Sequence, residues 1–266
     1  MILHYRIHEV SKYINWEYFF HAWGVRGESN EAKQLQEDAD RMLSILDGDF
    51  RTHAVFRLME ANSEGNDIWL ENTRFPCLRQ QTAKEGSSYL CISDFIRPLS
   101  SGIPDKVGIF ATTVDSDMES NYSDDNYRSL LMKTLADRLA EATAERLHEQ
   151  VRKDFWGYAP HENLSIHQLH KEVFQGTRPA VGYPSLPDLS VNFLLNQLLD
   201  MEQIGIHLTE NGMMQPHASV SGLMIAHPAS HYFSVGPINE EQVKDYATRR
   251  GISIEVIRKF LGVNLQ

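Results

Sequence analysis

The sequence has no long hydrophobic run, no excess of positive charge and almost no cysteine. No apolar stretch reaches the 18 residues of a membrane span, and the N-terminus lacks the basic and apolar regions of a secretory signal. Lys and Arg total 25 against 36 Asp and Glu, which gives a formal charge of −11. General nucleic-acid binders need a basic surface, so this charge disfavours that class. We expect a soluble, cytoplasmic protein that binds neither membranes nor nucleic acid.

Its two cysteines exclude a disulfide scaffold and a four-cysteine zinc site. Cys77 and Cys91 are distant in sequence for a redox pair, and we predict two reduced thiols inside the protein. The chain has 12 histidines, and His167 and His170 have the spacing to share a ligand. No third ligand follows at motif spacing, so no metal site is predicted. P-loop, GxGxxG and GxSxG motifs are absent, and we predict no catalytic dyad or triad.

Hydrophobic periodicity predicts a mixture of helices and strands. Predicted helices cover 30–46 with Asn30 as a possible cap, about 123–155, a short segment opened by Ser165 with Gln168 in a capping box, 189–202, 239–250 and 253–261. Predicted strands cover 53–60, 67–71, 107–114, 206–209, 222–226 and 232–235, with a turn at 227–230 between the last two. Hairpins recur without regular βαβ alternation, which favours an α+β fold with mostly antiparallel pairing.

The segment RPAVGYPSLP (178–187) is the most informative loop. Its prolines fix φ and hold the chain extended, and Gly182 permits close approach of a ligand to the backbone. Arg178 offers a planar fork for a carboxylate, and Tyr183 offers an aromatic face. An alternative is a rigid loop in which Arg178 pairs with a structural acid.

A second informative region joins PHASVSG (216–222) to HPASHYFSVG (227–236). The small residues at 219–222 permit tight packing or a bound ligand. If 232–235 is a strand, Tyr232 and Phe233 present opposite faces of it. The alternative is an ordinary core strand with one aromatic residue in and one out.

Several strings together resemble the activation domain of cobalamin-dependent methionine synthase. They are YINWEYFFHAW (13–23), LRQQT (78–82), LADRLAEATAERLHE (135–149), VRKDFWGYAPHENLS (151–165), RPAVGYPSLPD (178–188), ASVSG (218–222), HPASHYF (227–233) and DYATRRGIS (245–253). They follow the family order and cover the chain from about residue 13 to its end. The resemblance implies one C-shaped domain over 1–266, with 1–12 as a short lead-in and a twisted antiparallel sheet flanked by helices.

The resemblance also implies a function. In this family the domain binds S-adenosylmethionine (AdoMet) and presents it to a cobalamin-binding module. Cob(II)alamin formed by accidental oxidation is reduced there by flavodoxin or a similar donor and is then remethylated. Cobalamin is therefore expected on a partner chain, with AdoMet as the ligand of this one.

Site residues follow from the same resemblance. Arg178 matches the arginine that binds the ligand carboxylate, and Ala180, Gly182 and Tyr183 match the loop along the ligand. The aromatic pair that contacts AdoMet corresponds to Tyr232 and Phe233. Asn15 stands where a family member can carry Asp, so its interaction with the ligand amino group is expected to be weaker.

Acidic residues at 137, 141 and 145 share one helix face, and Glu172 precedes the Arg178 loop. Glu141, Glu172 and Asp137 could complement a sulfonium or a corrin side chain, or lie on a solvated stripe. For Glu145 we favour the solvated stripe.

The sequence starts at Met1 and holds only the activation region, which predicts a split enzyme that acts in trans on a cobalamin-binding synthase. One alternative is a repurposed AdoMet-binding reactivator or methyl donor for another corrinoid protein. A nucleic-acid module is the other, because 240–261 resembles two helices around a glycine, but the net charge argues against it.

Overall fold

An antiparallel sheet forms the centre of the computed structural model, which describes residues 1–27, 29–82, 86, 88–118, 125–262 and 264–265. Its described strands are β1 (Ile2–Arg6), β2 (Arg51–Glu64), β3 (Asp67–Leu70), β4 (Thr73–Pro76), β5 (Asp105–Val114) and β8 (Ser219–Met224). Their order is β4-β3-β2-β5-β8, and β1 also pairs with β2. A separate hairpin joins β6 (His207–Leu208) to β7 (Met214–Gln215).

Alternation along the central strands creates two apolar faces. Phe56 of β2 pairs with Phe110 of β5, and both belong to the core on one face of the sheet. Their neighbours Val55 and Ile109 belong to the core on the other face. Successive side chains of a strand point to opposite faces, so both sides of this sheet must be covered.

Helices cover both faces. They are α1 (Ile7–Ser11), α2 (Trp16–Ala22), α3 (Asn30–Asp49), α4 (Asn126–Gln150), α5 (Ile166–His170), α6 (Val191–Leu199), α7 (Glu240–Arg250) and α8 (Ile254–Phe260), with a π-helical turn at Val151–Phe155 after α4. Helix α4 packs with the first core and α6 with the second. A third, smaller core joins α7 and α8.

Threonines hold α4 directly against the sheet. Thr112 of β5 donates to the carbonyl of Ala140 at 3.1 Å, and Thr143 donates to Oγ1 of Thr52 at 2.8 Å. These three polar side chains are fully buried, and each finds a partner, as buried hydroxyls must. The register of α4 is thus fixed relative to the strands, which places its C-terminal half at the candidate site described below.

Most predicted elements are present, including the hairpin of β2 and β3, strand β5, the Ser165–Gln168 capping box and the helix pair near the C-terminus. The predicted long helix corresponds to α4 and its π-helical turn, with Asp125 as its N-cap; the predicted start at 123 lies outside the described residues. Residues 1–12 contribute β1 and α1, and β1 pairs with β2 along its whole length.

Three predictions about local structure are wrong. Ser29, not Asn30, caps α3, because its hydroxyl accepts from the amide of Ala32 at 3.1 Å. Residues 232–235 form no strand; the amide of Val235 donates instead to Pro184. The helix predicted over 189–202 is interrupted at Asp200, whose φ of 53° ends α6 before a short 3₁₀ turn.

Cys77 and Cys91 are both buried and free, in agreement with the prediction of reduced internal thiols. Unexpectedly, they are neighbours, since each thiol shifts the pKa of the other. The antiparallel bridge between Arg79 and Cys91 brings their segments together. None of the helices in the described ranges is long and apolar enough to cross a membrane.

Candidate functional site

A cavity of about 640 Å³ opens between α4, the start of α2, the loop 178–185 and the segment 232–234. Its volume lies in the range of pockets that hold small organic ligands. Eight of the nine predicted site residues line it, namely Asn15, Glu141, Glu172, Arg178, Ala180, Tyr183, Tyr232 and Phe233. The ninth, Gly182, does not line the cavity.

The loop that carries Arg178 and Ala180 runs antiparallel along the edge of β8. Thr177 and Ile225 exchange two backbone hydrogen bonds of 2.9 Å, and the amide of Leu223 donates to Pro179 at 3.0 Å. A Cβ on Gly222 would lie 2.3 Å from the carbonyl oxygen of Pro179. Tight packing therefore explains the small residue at 222, and this contact fixes the distance between the loop and β8.

A turn then places Tyr183 at the mouth of the cavity. Gly182 has φ of +87°, a conformation that favours glycine, and its amide donates to Leu186 at 2.8 Å. Gly182 thus shapes the loop. The hydroxyl of Tyr183 donates to Glu141 at 2.6 Å across to α4, while 51% of Tyr183 stays exposed. Burial and the Glu141 carboxylate raise the pKa of Tyr183, so this phenol stays protonated near neutrality.

The side chain of Arg178 extends from its loop to α4. Its Nη2 donates to Glu145 at 3.0 Å and its Nη1 to Nδ1 of His148 at 3.1 Å. Both partners of the ion pair have side chains only 12% exposed. Burial opposes the charge of Arg178, but Glu145, Tyr232 and Glu141 together outweigh it and raise the arginine pKa. The expectation of a solvated Glu145 is wrong. Glu145 and His148 are three residues apart on α4, so both side chains face Arg178.

Tyr232 and Phe233 also line the cavity. They lie on an irregular segment, not on the strand that the sequence predicted. The hydroxyl of Tyr232 accepts the backbone N–H of Arg178 at 2.9 Å, and burial raises the pKa of Tyr232. The Phe233 ring packs against Phe95, with centroids 6.4 Å apart. The hydroxyl of Ser185 donates to the carbonyl of Phe233 at 2.5 Å. Hydrogen bonds to the Arg178 loop therefore hold this segment.

Asn15 and Glu172 complete the predicted set. Asn15 is the N-cap of α2, and its Oδ1 accepts from the amide of Glu17 at 3.1 Å. Glu172 follows α5 with φ of 56°, and burial raises its pKa. A carbonyl oxygen has two lone pairs, so the capping bond leaves Asn15 able to accept a second donor.

Sequence reasoning missed several lining residues, of which the polar ones are Tyr13, Tyr18, Arg138, Glu145, His170, Ser185 and Ser234. The four-residue step from Glu141 was the available signal for Glu145. Asp137 does not line the cavity and lies 3.5 Å from His217. Within the described ranges no three His, Cys, Asp or Glu side chains form a potential metal site, and His170 instead contacts the carbonyl of Tyr13 at 3.0 Å.

Comparison with known proteins identifies the family of this site. Residues 6–251 match the family model of the vitamin B12 dependent methionine synthase activation domain. The chain belongs to that family. A solved structure described as the MetH reactivation domain bound to AdoHcy matches with a TM-score of 0.95 and 38% identity, over 100% of this chain and 90% of that one. The antiparallel sheet flanked by helices is therefore the activation-domain fold, as the sequence predicted.

Proposed function

We propose that this activation domain binds AdoMet in the cavity and supplies its methyl group for the reductive reactivation of cobalamin on methionine synthase. The observation that carries the proposal is Arg178, a buried guanidinium at the wall of an open cavity. Its described hydrogen bonds to Glu145 and His148 use two of its five N–H donors. The remaining donors suit the carboxylate of an amino-acid ligand. AdoHcy in the similar structure has such a group.

Charge complementarity supports AdoMet over an anionic ligand. AdoMet carries one carboxylate, one ammonium and one sulfonium, a net charge of +1. The cavity is lined by three carboxylates, those of Glu141, Glu145 and Glu172, and by the guanidiniums of Arg138 and Arg178. The excess of one negative charge matches the ligand, and an acidic wall favours the sulfonium.

The residues of this chain then act by position and electrostatics. Arg178 holds the carboxylate, the Ala180 backbone and Tyr183 lie along the ligand, and Tyr232 braces the loop behind Arg178. Transfer breaks the bond from sulfur to methyl carbon and leaves AdoHcy. Cobalamin on the partner, after one-electron reduction by an external donor, would supply the nucleophile and take up the methyl group. No proton moves, so no acid or base is required, and the low acidity of Tyr183 and Tyr232 agrees with this.

Calorimetric titration of the protein with AdoMet and AdoHcy tests the binding step. We expect saturable binding that Arg178→Ala weakens by about 2 kcal/mol or more, the scale of lost hydrogen bonds to a charged group. Arg258→Ala is the matched control, since Arg258 pairs with Glu240 at the surface. Absence of binding by the wild type, or an equal effect of both variants, would contradict the proposal.

The expectation that the domain acts in trans stays a prediction. Mixing the protein with a cobalamin-binding synthase, AdoMet and a flavodoxin-type reductant should restore methylcobalamin, visible in the absorption spectrum. The Arg178→Ala variant should fail to restore it at the same AdoMet concentration. Restoration of a different corrinoid protein, but not of the synthase, would favour the repurposed reactivator instead.

A further inference from the structure

A chain of polar contacts behind the cavity connects Arg178 to the interior. Nη1 of Arg178 lies 3.1 Å from Nδ1 of His148, and Nε2 of His148 lies 3.4 Å from the hydroxyl of Tyr158. The Tyr158 hydroxyl in turn lies 3.4 Å from the carbonyl oxygen of Gln175. His148 does not line the cavity, and it would reach a ligand only through Arg178.

The direction of these bonds fixes the state of the histidine ring. A guanidinium has only donors, so Nδ1 of His148 must accept and carries no proton. The neutral ring then carries its proton on Nε2, which faces Tyr158, and the tyrosine hydroxyl can donate onward to Gln175. The neutral tautomer with its proton on Nε2 is the one state that satisfies every contact from Arg178 to Gln175. Either a proton on Nδ1 or the imidazolium would place a donor against a donor.

The surroundings of His148 maintain that neutral state. The side chain is fully buried, and its ring meets the edge of Phe174 with centroids 5.0 Å apart. Burial, followed by the charges of Arg178 and Arg152, keeps the pKa of His148 well below its usual value. A neutral acceptor costs less to bury than a second carboxylate would.

Glu145 and His148 therefore provide different interactions to the Arg178 guanidinium. The carboxylate supplies the countercharge, at one oxygen only. The imidazole supplies an uncharged acceptor for the other terminal nitrogen. Two contacts from one face of α4 define the plane of the guanidinium, where a single contact would let it rotate.

We propose that His148 is a positioning residue for the ligand carboxylate: its neutral Nδ1 orients the Arg178 guanidinium so that the unused N–H donors meet the amino-acid end of the ligand. The proposal rests on the proposed binding of AdoMet and concerns that end of the ligand alone. It predicts that His148 affects carboxylate-bearing ligands selectively.

Two variants and two ligands test it. His148→Phe keeps an aromatic ring against Phe174 and removes the acceptor, whereas His148→Asn keeps an amide oxygen near the position of Nδ1. AdoHcy carries the amino-acid group, and 5′-methylthioadenosine has the same thioether-linked nucleoside without it. We expect His148→Phe to weaken AdoHcy about tenfold, as for loss of one bond to a charged group, and to leave 5′-methylthioadenosine unchanged. His148→Asn should restore most of the AdoHcy affinity.

The binding measurements distinguish failure of the proposed function from failure of the positioning role. If the wild type binds neither ligand, the proposed function falls, and this inference with it. If the wild type binds AdoHcy but His148→Phe weakens both ligands equally, or neither, the positioning role is wrong. Should His148→Phe not fold, His148→Gln replaces it, because its longer side chain moves the oxygen away from the Nδ1 position. Equal AdoHcy affinity of the Gln and Asn variants would then overturn the proposal.

A second measurement needs no ligand. The ¹⁵N chemical shifts of the His148 ring in the wild-type protein report which nitrogen carries the proton. We expect an unprotonated Nδ1 and a protonated Nε2 from pH 6 to pH 8. A protonated Nδ1 in that range would overturn the proposed orientation.

Discussion

Two buried arginine–glutamate pairs lie close to the C-terminal end of α4 and differ in how the oxygens of their carboxylates are paired. Arg152 is fully buried, and its Nε and Nη2 reach both oxygens of Glu162 at 2.7 to 3.1 Å. Its guanidinium also stacks 4.1 Å above the Phe174 ring. Arg178 meets only one oxygen of Glu145, at 3.0 Å, and the other oxygen is buried without a partner among the described residues.

This difference separates a structural pair from a pair suited to binding. A bidentate pair uses the lone pairs of its carboxylate on the protein itself and offsets its own desolvation. Both arginines keep unused N–H donors, since Nη1 of Arg152 is buried without a partner among the described residues, but of the two only Arg178 lines the cavity, where a ligand can use them. Burial and charge alone would not have distinguished the two.

Removing the acid from each pair is the strongest test of the comparison. Glu162→Gln leaves a fully buried guanidinium uncompensated and should lower the free energy of unfolding by about 3 kcal/mol or more. Glu145→Gln should cost about 1 kcal/mol, because Arg178 borders the cavity and keeps His148 as a partner. Urea unfolding of both variants measures the difference. Equal losses would contradict the assignment of Arg152 as the structural arginine.

The second test replaces the planar guanidinium of Arg178 with the ammonium group of lysine. Arg178→Lys keeps the positive charge but loses the planar donors, and we expect AdoHcy affinity to fall by about 2 kcal/mol with a smaller effect on unfolding. Titration calorimetry measures the affinity, and Arg258→Lys at the surface is the control. An unchanged affinity would show that charge alone holds the ligand.

The third test uses pH. The pKa of buried His148 lies well below 6.5 in the folded protein, so the unfolded chain binds a proton that the folded one excludes. Stability is unaffected well above pH 6.5 and falls as the pH drops through and below this value, by about 1 kcal/mol at pH 5.5. Unfolding of the wild type and His148→Asn at pH 7.5 and 5.5 isolates this contribution from that of other groups. Parallel losses in both proteins would contradict it.

The sequence predicted the elements better than the contacts between them. Periodicity located β5 and α4, and proline and glycine content marked the loop of Arg178. The pairing of Arg178 with Glu145, 33 residues away, depends on the packing of α4 against the sheet, which no local pattern encodes. The strand predicted at 232–235 failed for a related reason. Its alternating side chains suit a strand, but its backbone hydrogen-bonds the loop beside it.

The smallest expected effect concerns Asn15, which lines the cavity as the N-cap of α2. Asn15→Asp should strengthen AdoMet binding by about 1 kcal/mol, since a charge-assisted bond to the ligand ammonium replaces a neutral one. Asp caps a helix as well as Asn does, so α2 should keep its stability. Asn239→Asp is a matched control, because Asn239 is the N-cap of α7 and does not line the cavity. If both variants raise the affinity equally, the gain comes from overall charge, and Asn15 does not meet the ammonium.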